Sequence, residues 1–296
     1  MEYQNVDFLS RGDRCAARLY LPNHTQPLPC VILGHGLGAT SDMRLDAYAT
    51  RFATLGLAAL VFDYRGFGES AGSPRQIVDI KGQLADWRAA IRYARSNLAL
   101  DPERIILWGT SFSGGHVLRI AAEDSRIAAV ISQIPFTDGL TTLTMYSPLR
   151  SLQLLVAALR DYGHHILGRE PHYITTVGKV DELAMLATPG AFERYQEMLP
   201  AGYRYPNHIA ARINLTLPFY RPIQQAQHIR CPVLLCICEQ DRITSPQAAI
   251  KTARRIPAAE VRTYPGDHID IYHEPLFSQV LNDQCDFLSR HGLTTA

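Results

Sequence analysis

Residues 105–115 read Ile105-Ile106-Leu107-Trp108-Gly109-Thr110-Ser111-Phe112-Ser113-Gly114-Gly115. Four large apolar side chains in a row fit a strand buried on both faces, and the small residues that follow fit a tight turn. A helical pattern then runs over 114–123, so the segment predicts strand, turn and helix with a serine at the apex. A turn this sharp needs small residues two positions to either side of its apex. Gly109 meets that need, and Ser113 stands where the G-x-S-x-G pattern has its second glycine. A register shifted by two, with Ser113 at the apex, is the rival. The strand ends near Trp108, which favours Ser111.

The same alternation extends in both directions. Strands are expected at 6–10 and 16–21, joined by the turn Arg11-Gly12-Asp13, then a Pro/Asn/His/Gln linker over 22–29. Apolar strands follow at 31–33, 58–62, 104–108, 128–133, 232–238 and 260–264. Amphipathic helices are expected at 42–55, 77–96, 246–256 and 275–291. Strands apolar on both faces, alternating with amphipathic helices, predict an α/β fold with a mostly parallel central sheet flanked by helices. Right-handed crossovers bring the strand-end loops to one edge of such a sheet.

Between about 135 and 222 the alternation stops. Helical pieces are expected at 140–146, 151–161, 180–186, 190–199 and 210–217, punctuated by Pro148, Gly168, Pro171, Gly178, Pro189, Pro200 and Pro206. The expected organisation is a core over 1–136 and 226–296, with a mainly helical cap at 137–225 inserted after the strand at 128–133.

Composition excludes several classes. With 296 residues, 47% hydrophobic and 19% charged, the chain is neither disordered nor a small disulfide scaffold. No repeat at a fixed period points to a solenoid. A net charge of +1 offers no basic patch for nucleic acid. No stretch approaches the ~20 apolar residues of a membrane span, and polar residues interrupt the first fourteen positions where a signal sequence would lie. Cys15, Cys30, Cys231, Cys236, Cys238 and Cys285 form no Cys-x-x-Cys pair. Buried free thiols are expected, and with them a reducing, cytoplasmic setting.

A serine hydroxyl at a strand end is a weak nucleophile until a base takes its proton. Of eleven histidines, His268 lies just after the strand at 260–264, in Pro265-Gly266-Asp267-His268, and so on the expected active edge. His273 is its local rival. His116 reads as a packed helix residue, His35 as a support for its own loop, and His164 and His165 as cap residues. The base needs an orienting carboxylate. Asp241 ends the strand at 232–238, Asp138 is the runner-up, and Asp267 reads as a turn residue. The order Ser111, Asp241, His268 is one that serine hydrolases use. The N–H groups of Leu37 and Phe112 are candidate donors to a developing oxyanion. The glycine-rich loop Gly34-His35-Gly36-Leu37-Gly38 is not G-x-G-x-x-G, and no phosphate-binding loop or metal-ligand spacing occurs. This chemistry asks for no cofactor and no metal.

Taken together, Gly34-His35-Gly36-Leu37-Gly38, Asp63-Tyr64-Arg65-Gly66-Phe67-Gly68-Glu69-Ser70, the elbow at 109–115, Glu239-Gln240-Asp241 and 265–272 resemble the α/β-hydrolase superfamily. The similar branch holds esterases, thioesterases and dienelactone-hydrolase-like enzymes with an inserted helical cap. The resemblance covers 1–136 and 226–296. It implies Ser111 as nucleophile, His268 as base, Asp241 as its partner, and the N–H groups of Leu37 and Phe112 as oxyanion hole. It implies a serine esterase that cleaves a carboxylic ester through an acyl-enzyme. Thioesterase, lactonase, amidase or peptidase and carbon–carbon hydrolase activities, and a non-catalytic ligand-binding role, stay open. Serine rather than aspartate at the elbow argues against a haloalkane dehalogenase or epoxide hydrolase. The Tyr, Phe, Leu and Met content of the cap suggests a small to medium, partly apolar acyl substrate. An exposed apolar face on the cap could support a homodimer.

Overall fold

A computed structural model describes residues 2–23 and 26–295; His24 and Thr25 of the 22–29 linker lie outside the described residues. The strands are β1 (Gln4–Ser10), β2 (Asp13–Tyr20), β3 (Leu28–Gly34), β4 (Ala58–Phe62), β5 (Leu100–Thr110), β6 (Ile127–Gln133), β7 (Tyr173–Val177), β8 (Ala184–Leu186), β9 (His208–Ala210), β10 (Val233–Cys238) and β11 (Ala259–Tyr264). The helices are α1 (Leu45–Ala53), α2 (Ile80–Ser96), α3 (Phe112–Ala121), α4 (Gly139–Leu143), α5 (Pro148–Ile166), α6 (Ala191–Glu197), α7 (Pro246–Ala253) and α8 (Leu276–Arg290).

Eight strands form the main sheet in the order β1-β2-β4-β3-β5-β6-β10-β11. The β1–β2 and β2–β4 pairs are antiparallel, and every later pair is parallel. Helices cover both faces, so successive strand residues point into two different cores. Cys30, Ile32, Ile105 and Leu107 pack with α2, α3 and α7, whereas Val31, Leu33, Ile106 and Trp108 pack with α1 and α8. This explains why the central strands read as unbroken apolar runs. Each core also holds one fully buried tryptophan whose N–H is satisfied. Trp87 donates to Tyr64 Oη at 2.6 Å and Trp108 to Gln284 Oε1 at 2.9 Å. Truncating either to alanine would cost ~3–5 kcal/mol.

The stretch between β6 and β10 departs from the helical expectation. It holds α4, α5 and α6, but also a separate three-stranded sheet in the order β8-β7-β9. The piece expected as a helix at 180–186 ends instead in strand β8, and that expected at 210–217 is two short 3-10 turns following β9. The physical reason is local. Ile174-Thr175-Thr176-Val177 is a β-branched run that favours extended backbone. Strands of three to five residues are too short to display a period.

The six cysteines are free and buried. Desolvation pushes the thiols of Cys30 and Cys236 up to about 12, so they are packing groups rather than nucleophiles. Among the described residues, no helix is long and apolar enough to cross a membrane.

Candidate active site

Ser111 links β5 to α3 with φ 55° and ψ −115°, a strained conformation for a residue that carries a Cβ. The surroundings hold it there. Ser111 N–H donates to Gln133 O at 2.8 Å, and Phe136 N–H donates to Ser111 O at 2.9 Å, which ties the turn to the end of β6. Gly109 is obligatory for steric reasons, because a Cβ there would lie 2.2 Å from Ser113 O. The turn therefore peaks at Ser111, and Ser113 is the second residue of α3.

His268 and Asp241 come to the same sheet edge from the loops after β11 and β10. His268 Nε2 is 3.0 Å from Ser111 Oγ, and His268 Nδ1 is 2.7 Å from Asp241 Oδ2. Asp241 is fixed from several sides. Its Oδ1 accepts from Ile243 N–H at 2.8 Å and Thr244 N–H at 2.7 Å, and its Oδ2 accepts from Thr244 Oγ1 at 2.8 Å. A carboxylate oxygen accepts, so the neutral ring that suits both contacts carries its proton on Nδ1 and turns its Nε2 lone pair toward Ser111. Both His268 and Asp241 are buried, whereas Ser111 is partly exposed.

The rival residues have other employment. Asp138 caps α4 and pairs with Arg221 at 2.7 Å. Asp267 accepts from His268 N–H and Arg242 N–H, as a turn residue does. His116 is fully buried between Tyr220 Oη at 2.6 Å and Gln83 Oε1 at 3.0 Å, and burial pushes it down to about 3. His273 bonds to Arg194 O through Nε2 at 3.1 Å. His35 bonds to Gly36 O through Nδ1, and burial lowers its basicity. His164 bonds to the backbone of Glu170.

The loop of Leu37 lies against the elbow. A Cβ on Gly36 would come 3.2 Å from Ser111 Cβ, so a side chain there would crowd the elbow. Among the described residues, the Leu37 N–H donates to no other protein group. Phe112 opens α3, so its N–H is one of those a helix leaves without an internal partner.

Sequence reasoning missed what fastens that loop. Trp87 Nε1–H donates to Tyr64 Oη, Tyr64 bonds to Ser113 Oγ, and Ser113 Oγ–H donates to His35 O. All four residues are buried. The signal was present in the serine that replaces the pattern's second glycine, and in Tyr64 of the Asp63-Tyr64-Arg65-Gly66 turn.

Two small cavities meet at Ser111. One, of about 40 Å³, is walled by Met43, Leu45, Tyr195, Met198 and Tyr272. The other, of about 20 Å³, is walled by Phe112, Phe136, Tyr146, Met185 and Ile243. Leu186, from β8, borders both and also borders an outer cavity of about 280 Å³ that contains Arg150 and Thr188. The inner spaces are lined mainly by carbon and hold only a few waters' worth of volume. Among the described residues, no cluster of three His, Cys, Asp or Glu side chains could hold a metal.

The chain matches known proteins in sequence and fold. The α/β-hydrolase fold family matches residues 29–275. A relative from Acinetobacter baumannii, the quorum-quenching protein AidA, is 43% identical over 97% of this chain and 94% of its own. The thiohydrolase aneE of Aspergillus aculeatus is 28% identical over 97% of this chain and 92% of its own. The crystal structure of the α/β hydrolase GrgF from Penicillium superposes with a TM-score of 0.82 at 26% identity, covering 98% of this chain and 99% of that one. With the family spanning most of the chain and the fold shared from end to end, this protein belongs to the α/β-hydrolase family.

Proposed function

We propose that the protein is a serine hydrolase that cleaves a carboxylic ester, or a related acyl bond, of a small to medium, partly apolar molecule through an acyl-enzyme. The observation that carries this reading is the continuous chain from Ser111 Oγ to His268 Nε2, and from His268 Nδ1 to Asp241 Oδ2. His268 takes the Ser111 proton as Oγ attacks the carbonyl carbon. Asp241 holds the ring and stabilises the imidazolium that forms. The N–H groups of Leu37 and Phe112 receive the oxyanion, at the end of a helix whose dipole favours negative charge. His268 then returns the proton to the leaving group. The acyl group stays on Ser111 until water, deprotonated by His268, attacks it. Residues 137–225 act as a cap, since Leu186, Tyr195 and Met198 close the apolar space beside Ser111.

The relatives widen the substrate range to be tested. The name of the 43% relative makes quorum-sensing signal molecules worth trying, and the thiohydrolase relative adds thioesters. Peptidase activity is less well supported. Asp138, one acidic group that could anchor a substrate amine, is neutralised by Arg221, and the other, Glu69, is exposed. The test is one matched panel of p-nitrophenyl esters, acyl thioesters, lactones and aminoacyl amides, with Ser111→Ala as control. Turnover of one class that disappears in the variant upholds the proposal. Turnover that survives Ser111→Ala overturns it.

A further inference from the structure

We infer that α5 is the interface of a homodimer, in which two copies of the helix pair antiparallel about a two-fold axis between Val156 and Leu159. The helix has 19 residues and is ~28 Å long. Its inner face buries Leu154, Ala157, Ala158 and Asp161 against its own protomer. The outer face is equally ordered in sequence. Leu149, Leu152, Val156, Leu159, Gly163 and Ile166 follow one another at intervals of three and four, the spacing of a coiled-coil seam. Leu155 and Tyr162, seven apart, flank it. Apart from the glycine, these side chains are 45–67% exposed.

The area is sufficient. Seven side chains about half exposed offer on the order of 800 Å² per protomer, which is what each partner of a standard interface buries. A monomer seldom leaves a contiguous apolar patch of that size uncovered. The register is self-complementary as well. An antiparallel pair about the stated axis sets Leu149 opposite Ile166 of the second copy, and Leu152 opposite Gly163. Nothing lies within 4 Å of where a Cβ on Gly163 would be. Gly163 is therefore an open hole in the seam, and Leu152 is the knob that fits it. The Leu152–Gly163 fit exists only in the antiparallel direction, because a parallel pair would set each residue level with its own copy. The helix presents no exposed carboxylate, because its one acidic residue, Asp161, is buried beneath Arg212.

Sedimentation of the full chain at micromolar concentration tests this. The expected mass is twice the 33.0 kDa of one chain. Val156→Glu and Leu159→Glu, each on its own, should halve it while circular dichroism is unchanged. The register has its own test that needs no destabilising change. The native cysteines are all buried, so mixed Val156→Cys and Leu159→Cys proteins should form a disulfide-linked heterodimer on mild oxidation. A Leu98→Cys protein, altered at an exposed site outside α5, should not. A mass of 33 kDa throughout overturns the inference. So does a dimer that survives both glutamates without cross-linking at 156 and 159. A monomer that floats with phosphatidylglycerol vesicles, and no longer does so after Leu159→Glu, assigns the face to lipid instead and equally overturns it.

Discussion

Ser113→Ala tests whether the loop of Leu37 is positioned by the elbow helix. The hydrogen-bond chain runs one way, from Trp87 N–H through Tyr64 O–H and Ser113 O–H to the carbonyl of His35. Removing Ser113 Oγ leaves the Tyr64 hydroxyl and the His35 carbonyl each without that partner, in a place fully shielded from solvent. An orphaned buried polar group costs ~1–3 kcal/mol, so leaving two should cost the variant about 2–6 kcal/mol of stability. The effect on turnover is separate. His35 O belongs to the peptide that leads into Gly36 and Leu37, and a loop released there shifts the Leu37 N–H. Losing one oxyanion donor costs ~10²–10³-fold in kcat, and a partial shift should cost about 10–100-fold. The assay is steady-state kinetics on the best substrate of the panel, beside urea unfolding. Ser113→Ala should lower kcat with KM almost unchanged, and Ser113→Thr, which keeps the hydroxyl, should recover part of the loss. A kcat within twofold of the parent despite lowered stability would show that the chain only supports the fold. A rise in KM at constant kcat would refute the reasoning differently, by placing the effect on substrate binding.

Other consequences can be checked independently. Asp161 is fully buried and accepts from His172 N–H, Arg212 N–H and the Arg212 guanidinium at 2.8–2.9 Å. Burial alone would raise its pKa, but these donors outweigh it and hold the carboxyl below its usual range. Asp161→Ala should cost ~3–5 kcal/mol, seen as faster hydrogen exchange in α5 and β7. His116 is pushed down to about 3 by burial, from 6.5 in the unfolded chain. The neutral form is the one that folds, so its contribution is complete above pH 6.5 and is lost as pH falls from there toward 3. At pH 4.5 the loss should be ~2–3 kcal/mol, and His116→Gln should flatten that part of the stability-versus-pH curve. Leu186→Ala should join the cavities at Ser111 to the outer one, and raise kcat/KM for longer acyl chains relative to acetyl. An unchanged chain-length profile would mean that Leu186 is not the partition.

The core was legible because its signals are local. An apolar run such as 105–108 between glycine-rich turns marks a strand buried on both faces, and each strand-end loop in this chain carries a distinctive residue set. Ser111, Asp241 and His268 could be nominated because each directly follows such a strand. The second sheet was not legible. β8 and β9 are three residues long, and their pairing with β7 depends on contacts 9–37 residues away that no local period encodes. The role of Ser113 was hidden for a related reason: its partners, Tyr64 and His35, lie 49 and 78 residues away in sequence. The pattern showed that glycine was missing there, but not what the hydroxyl held.

The most direct measurement is reaction with a fluorophosphonate, followed by intact mass and peptide mapping. The account predicts a single adduct on Ser111, absent in Ser111→Ala and much slower in His268→Ala, because the proposed mechanism has His268 Nε2, 3.0 Å away, activate that hydroxyl. An adduct on Ser113, or no adduct in a folded protein that still turns over substrate, would contradict it.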